Sequence, residues 1–177
     1  PAGITAAISL AKKGIPVLLI DKCSFPRQKI CGDGLSGKVI SNLIRLDPAY
    51  VAEIQDSGLA THSYGARFYS PGRKMIELSF QNGDPSLPAG FISQRIDFDN
   101  FLLRKALEFN EITFLNNINI DKIYRENGEL RLRDEKGNQI AEPSLILFAA
   151  GSNRNLIRQL DPVYPDPEEW IGIRGHF

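Results

Sequence analysis

The chain has 177 residues, 42% of them hydrophobic and 24% charged, and its 21 basic residues offset 21 acidic ones to a formal net charge of zero. That length supports one domain, or one and part of a second, burying about two-thirds of the unfolded surface. The interleaved charges exclude a nucleic-acid-binding stripe, and apolar runs such as SLILFAAG stop well short of the roughly 20 residues of a transmembrane helix.

The opening Pro1-Ala2-Gly3 reads as the end of a glycine-rich turn entering a helix, with a buried strand ending in Gly-x-Gly-x expected upstream. Ile4, Ala7, Ile8 and Ala11 recur at helical spacing, predicting a helix from Pro1 to about Lys13 that Gly14 terminates. IPVLLID is a short continuous apolar run, the pattern of a parallel strand buried on both faces and ending at Asp21 and Lys22. Helix, glycine, strand and acid together form the second half of a βαβ unit. Residues 23–37, CSFPRQKICGDGLSG, are polar and glycine-rich, predicting a structured loop before a helix from about Lys38 to Leu46.

YGARFYSPGRKMIELSF predicts a β-hairpin over Tyr64–Phe80 turning at SPGR, and AGFISQ a further strand. Phe98, Phe101, Leu102, Ala106 and Phe109 make one apolar side of a helix from Ile96 to Asn110, with Asp97 at its positive end and Arg104 on its solvated side. ITFLNN, INIDKIYREN, GELRLRDEKG and NQIAEPS, cut by NG and KGN turns, predict an antiparallel meander. LILFAAG reads as a second buried strand, NRNLIRQL as a short helix and EEWIGIRGHF as a final strand.

Cys23 and Cys31 share one loop while His62 and His176 lie far off, so no metal site is expected. Without a visible secretion signal the thiols indicate a reducing, cytoplasmic setting, with a disulfide between them left open. The two histidines lack partners at catalytic spacing and read as structural.

A dinucleotide site in an α/β sheet needs a turn bare of side chains at a helix N-terminus, where backbone N–H groups meet the pyrophosphate, and an acid ending the next strand for the ribose. Gly3 suits the last glycine of such a turn and Asp21 the ribose acid. These residues alone leave open a structural βαβ unit that binds nothing.

PAGITAAISLAKKGIPVLLIDK resembles the GPAG fingerprint of two-dinucleotide-fold flavoproteins, which implies FAD near Pro1, Ala2, Gly3, Asp21 and Lys22. SQRIDFDNFLLRKA is similar to the Arg-x-x-x-Asp-x-x-Leu helix start of the para-hydroxybenzoate hydroxylase superfamily, implying that Arg95 meets a flavin phosphate or ribose. AAGSNRNLIR stands where that superfamily has its Asp-Gly motif. Gly151 and Ser152 replace Asp-Gly while Arg158 keeps the final position, a departure that bears on whether NAD(P)H or another reductant is the electron donor.

FPRQKICGDGLS resembles the Lys-x-Cys-Gly-Gly-Gly-Leu loop of geranylgeranyl reductases, which saturate isoprenoid double bonds. The resemblance implies that Cys31, Gly32 and Asp33 face flavin and substrate, and that Gly32 and Gly34 let backbone pass a flat ring. It also implies that Arg27 and Lys29 balance flavin or pyrophosphate charge. Cys31 as a small interior residue, and Arg27 and Lys29 as solvated cations, are the alternatives.

The expected fold is therefore α/β: a Rossmann-like FAD-binding domain (1–63 and 96–160) with an antiparallel meander, plus part of a β-sheet substrate domain (64–95 and 161–177). The expected function is isoprenoid reduction by hydride from reduced flavin. An isoprenoid lipid substrate would be compatible with peripheral membrane association. A flavin monooxygenase or halogenase acting on an aromatic or carrier-bound substrate is the other enzymatic reading, and a flavin-free relic the non-enzymatic one.

Overall fold

The computed structural model describes residues 1–80, 88–151, 155–161 and 163. In chain order they form α1 (Ala2–Ala11), β1 (Val17–Ile20), β2 (Gly34–Ser36), α2 (Gly37–Leu46), α3 (Pro48–Asp56), β3 (Thr61–Ser63), β4 (Gly65–Tyr69) and β5 (Met75–Ser79). There follow β6 (Gly90–Ile92), α4 (Arg95–Ala106), β7 (Ile112–Leu115), β8 (Ile120–Glu126), β9 (Glu129–Asp134), β10 (Gln139–Ala141) and α5 (Asn155–Leu160). Two compact units result, one of residues 1–25 with the described residues from 102 on, and the other of the described residues within 26–101.

In the first unit α1 buries Ile4, Ala7, Ile8 and Ala11, the single stripe that 3.6-residue periodicity dictates, and packs on β1 and β7. Gly14, at φ +70°, lets the chain reverse, and the N–H groups of Gly14 and Ile15 reach the carbonyls of Ala11 and Leu10 at 2.8 and 3.2 Å. β1 lies parallel to β7, from Val17 opposite Ile112 to Ile20 opposite Leu115. The ITFLNN segment is thus no part of the meander. Its first four residues extend a parallel sheet, which a strand can join only after a long crossover.

The meander is β8–β9–β10, antiparallel throughout. Asn127 and Gly128 turn β8 into β9 with φ of +52° and +85°, the left-handed pair that a two-residue hairpin demands. Asp134 at the end of β9 accepts from the backbone of Lys136 and Asn138 and from the Asn138 amide at 2.7–3.0 Å. These donors, the Asn138 side chain first, hold its carboxyl below the ordinary carboxylate range. α5 docks on the open edge of β8 through Gln159, whose amide accepts from the Ile123 N–H and donates to the Asp121 carbonyl, both at 2.8 Å. The side chain thereby substitutes for a neighbouring strand.

Two further expectations for this unit differ from the structure. Residues 145–150 form no strand, and Leu145 is 73% exposed. A strand exists through its ladder, and no described neighbour pairs with this run. β1 is likewise not buried on both faces, since β7 is its one described ladder neighbour and Leu18 is 39% exposed.

In the second unit β6 is central, flanked by antiparallel β2 and β3. Phe91 is fully buried at its middle, with Leu35, Ile40, Leu43, Tyr50, Val51 and Ile54 also in the core. α2 packs on α3, β2 and β6. α3 is the helix for which the pattern reading had no place. Its start is nonetheless written in the chain: the Asp47 carboxylate caps the Ala49 N–H at 2.9 Å and Pro48 opens the first turn. The predicted hairpin forms as β4–β5, with Arg67 and Glu77 paired across it at 2.8 Å. The predicted helix over Ile96–Asn110 forms as α4, which starts one residue earlier and ends four residues earlier. The final predicted strand lies outside the described residues.

Replacing Asp134 by Asn should lower the melting temperature at pH 7. Because the folded carboxyl is held below its ordinary value, its contribution is complete above about pH 4 and fades as pH falls through the folded pKa. The gap between wild type and variant should therefore close in acid, as melts from pH 7 to pH 2 would read.

Gly90→Ala should also destabilise. The new methyl would sit 2.7 Å from the Leu35 carbonyl oxygen, backbone that cannot give way cheaply, so urea unfolding should show a loss of about 1–3 kcal/mol.

Candidate functional site

The expected site residues fall into two groups, one in each unit. In the second unit, β6 pairs with β2 and runs into α4 within two residues. Ser93 ties this corner down, its N–H donating to the Asp33 carbonyl at 3.0 Å and its hydroxyl to the Leu59 carbonyl at 2.8 Å. The loop that carries Cys31 and Asp33 is thereby fastened next to the first turn of α4.

At that turn Arg95 grips Asp99 with a two-pronged contact, Nε to Oδ1 at 2.7 Å and a terminal nitrogen to Oδ2 at 2.8 Å. Spacing i, i+4 puts both side chains on one helix face. Asp99 is completely buried, and Arg27 reaches the same Oδ2 at 3.5 Å. Interaction with Arg95, outweighing partial burial, lowers the pKa of the Cys31 thiol below its ordinary value. The Asp33 N–H and the Arg95 charge act in the same direction, while the Asp33 charge opposes them. Arg95 is in turn pushed up by Asp99 and by Cys31.

Cys31 is half-buried and is a free thiol, as is Cys23. Asp33 is buried, with φ +58°, a left-handed conformation in which a short polar side chain is tolerated but glycine is easier. Lys29 is exposed and has no described contact with this cluster. Gly32 and Gly34 are exposed, and a Cβ on either would meet nothing within 4 Å. Open space thus flanks the thiol.

In the first unit Pro1 caps α1 without a side-chain hydrogen bond, its carbonyl accepting from the Thr5 N–H at 2.9 Å. The first N–H groups of a helix have no intrahelical acceptor and concentrate positive potential. Ala2 is exposed there. A Cβ on Gly3 would stand 3.2 Å from the Ala149 methyl, so the bare glycine admits the 145–150 run against α1. Asp21 directly follows β1, and its carboxylate accepts from the Cys23 N–H at 3.0 Å. Lys22 is exposed, and Gly151 is exposed at φ +67°. Ser152 and His176 lie outside the described residues.

His62 packs its ring on Phe91 at 5.6 Å and contacts the Tyr64 hydroxyl at 3.2 Å, a structural setting. Asp99 is the member of the cluster that sequence reasoning did not single out. The signal was present as the Arg95-x-x-x-Asp99 spacing, but its burial was not.

Cys31 alkylation should reach half its maximal rate at a lower pH than a model thiol does. Arg95→Gln, which removes the largest influence favouring the thiolate, should raise that midpoint. Iodoacetamide kinetics against pH in a Cys23→Ser background would measure both.

No protein-family model matches the chain. It is 31% identical over 166 residues to an uncharacterised protein of Methanosarcina barkeri, covering 94% of this chain and 39% of that protein. A 1H-pyrrole-2-carbonyl-[peptidyl-carrier protein] brominase of Pseudoalteromonas luteoviolacea is 33% identical over 90% of this chain and 37% of its own. A digeranylgeranylglycerophospholipid reductase of Methanothrix thermoacetophila is 28% identical over 74% of this chain and 31% of its own. The chain thus spans about two-fifths or less of these relatives. Among solved structures, the flavin-dependent halogenase CmlS superposes with a TM-score of 0.66 at 23% identity, covering 80% of this chain and 26% of that one. A variant of P. aeruginosa PqsL gives 0.72 at 15% identity, covering 96% and 45%. The mixed α/β chain therefore carries part of the fold of the flavin-dependent flavoproteins.

Proposed function

We propose that the chain is part of an FAD-dependent oxidoreductase of the geranylgeranyl reductase-like branch, acting on isoprenoid carbon–carbon double bonds. The observation that carries the reading is the corner of the first unit where α1 begins after Pro1 on Ala2-Gly3, a Cβ on Gly3 would stand 3.2 Å from the Ala149 methyl, and Asp21 directly follows a parallel strand. That corner fits a dinucleotide: N–H groups for a pyrophosphate at the helix start, and a carboxylate able to accept from several ribose hydroxyls. Similarity to the reductase of M. thermoacetophila and to a menaquinone reductase of Mycolicibacterium smegmatis, 40% identical over 68 residues, supports a reductase.

Bound FAD would supply the hydride chemistry. Pro1, Ala2, Gly3, Asp21, Lys22 and Gly151 would hold it. Arg95, Arg27 and Lys29 would offer positive charge to phosphate or reduced flavin, and Gly34 a close backbone approach. Cys31, Gly32 and Asp33 would line the substrate side. In this reading residues 1–63 and 96–160 belong to the cofactor domain and 64–95 with 161–177 to the substrate domain. NAD(P)H or another reductant supplies electrons. The setting is cytoplasmic, with peripheral membrane contact for a lipid substrate. Among the described residues no helix is long and apolar enough to cross a membrane.

A second reading, a halogenase or monooxygenase, is favoured by one observation: the similarity to the brominase covers 90% of the chain, against 74% for the digeranylgeranyl lipid reductase.

The test begins with the visible spectrum of the purified full-length protein, expected to show bound flavin. A protein without flavin absorbance that also takes up no added FAD would overturn both readings. Asp21→Ala should weaken FAD binding by roughly ten- to a hundred-fold, the loss of charge-assisted hydrogen bonds. Anaerobic reoxidation of the reduced flavin by a geranylgeranyl lipid supports the reductase, whereas reoxidation by oxygen with halide incorporation supports the second reading.

A further inference from the structure

On the face of the meander away from buried Ile123 and Leu132, acids and bases are unevenly matched. Arg131 of β9 has three carboxylates, Glu126 at 3.6 Å, Glu129 at 2.9 Å and Glu142. Arg133, two residues on and so on the same face, has none. Its described side-chain hydrogen bond runs from a terminal nitrogen to the neutral Tyr124 hydroxyl at 3.0 Å, and its Nε is buried without a partner. Lys122, the residue opposite Arg133 in the β8–β9 register, is exposed. Among the described residues neither cation has an acid at ion-pair distance, the neighbouring Asp121 included.

Like charges directly opposite on paired strands repel. Both cations stand 5.3 Å from the centroid of the Tyr124 ring, whose π face offsets only part of that cost. The ladder is also irregular on both sides of Arg133, between Ile120 and Lys122 on β8 and between Gln139 and Ala141 on β10. Such bulges re-aim side chains and are frequent beside binding sites, and an orphaned buried donor marks a place where a water or an ion belongs.

We propose that Lys122, Arg133 and Tyr124 form an anion site that takes a phosphate group. The guanidinium and the ammonium supply two positive charges. The Tyr124 oxygen accepts from Arg133, which leaves its proton for a third phosphate oxygen. Lys122 and Tyr124 also border an open cleft of about 650 Å³ that reaches Arg125 and Gln159, room for the rest of a molecule carrying the phosphate. The recognition chemistry is the same for a soluble phosphate ester and for a lipid headgroup. It does not depend on the flavin reading, since the three residues belong to β8 and β9.

The experiment titrates inorganic pyrophosphate by calorimetry into the full-length protein, loaded with FAD and freed of the excess so that a dinucleotide site does not compete. Thermal melts confirm that each variant is folded. Saturable binding is expected, weakened about ten-fold or more by Lys122→Gln and by Arg133→Gln. It should be unchanged by Arg67→Gln, whose guanidinium is already paired with Glu77. Sedimentation with phosphatidic acid vesicles separates the sources: retention that the two variants lose identifies a lipid headgroup, and pyrophosphate binding without retention identifies a soluble ester. Should Arg133→Gln fail to fold, the exposed Lys122→Gln carries the test. Absence of saturable binding to either probe, or binding that the variants leave at the parental strength, overturns the proposal.

Discussion

A carboxylate removed wholly from water is tolerated only when charged partners surround it. Breaking such a group's pairing typically costs about 3–5 kcal/mol. Asp99 is in that position, and the second unit is arranged to meet its demand. Arg95 sits one helical turn earlier on α4, and Arg27 comes from the loop before β2. Since both cations must stay with Asp99, the loop between Arg27 and Gly34 is held at one end by an ion pair and at the other by the β2–β6 ladder. Cys31 and Asp33 lie between these two anchors. Their conformations, including the left-handed Asp33, follow from where the loop is pinned.

The first unit depends on backbone rather than charge. The β1–β7 pair provides a parallel platform, α1 covers it with small and branched residues, and Gly3 permits contact with Ala149. A helix that opens on small residues, next to an acid that follows a strand, is a general solution for holding a phosphate and a sugar. The likeness to flavin-dependent proteins is therefore consistent with local physics and does not replace it. The meander adds a third, self-sufficient element, closed by an Asn-Gly turn and by the Gln159 amide on its open edge.

Local chemistry was legible wherever a short segment determines its own conformation. The α1 stripe and its Gly14 stop, the β4–β5 hairpin, the Asn127-Gly128 turn and α4 all appear close to where the pattern puts them. The α3 cap at Asp47-Pro48 was equally local and went unread because it follows α2 without a loop. What escaped the pattern was partnership. ITFLNN and LILFAAG both satisfy strand criteria, yet the first pairs with β1 across more than ninety residues and the second pairs with no described strand.

By itself the sequence determined which residue types meet the chain's chemical needs: a glycine at a helix start, an acid after a strand, and a cysteine among glycines and cations. It determined these because capping, turn formation and apolar periodicity act over a few residues. Only the tertiary structure decided that Arg27 would join Arg95 on a buried Asp99, or that Gly3 would face Ala149. Burial and charge compensation depend on contacts between segments distant in sequence, and no local pattern encodes which partner will arrive.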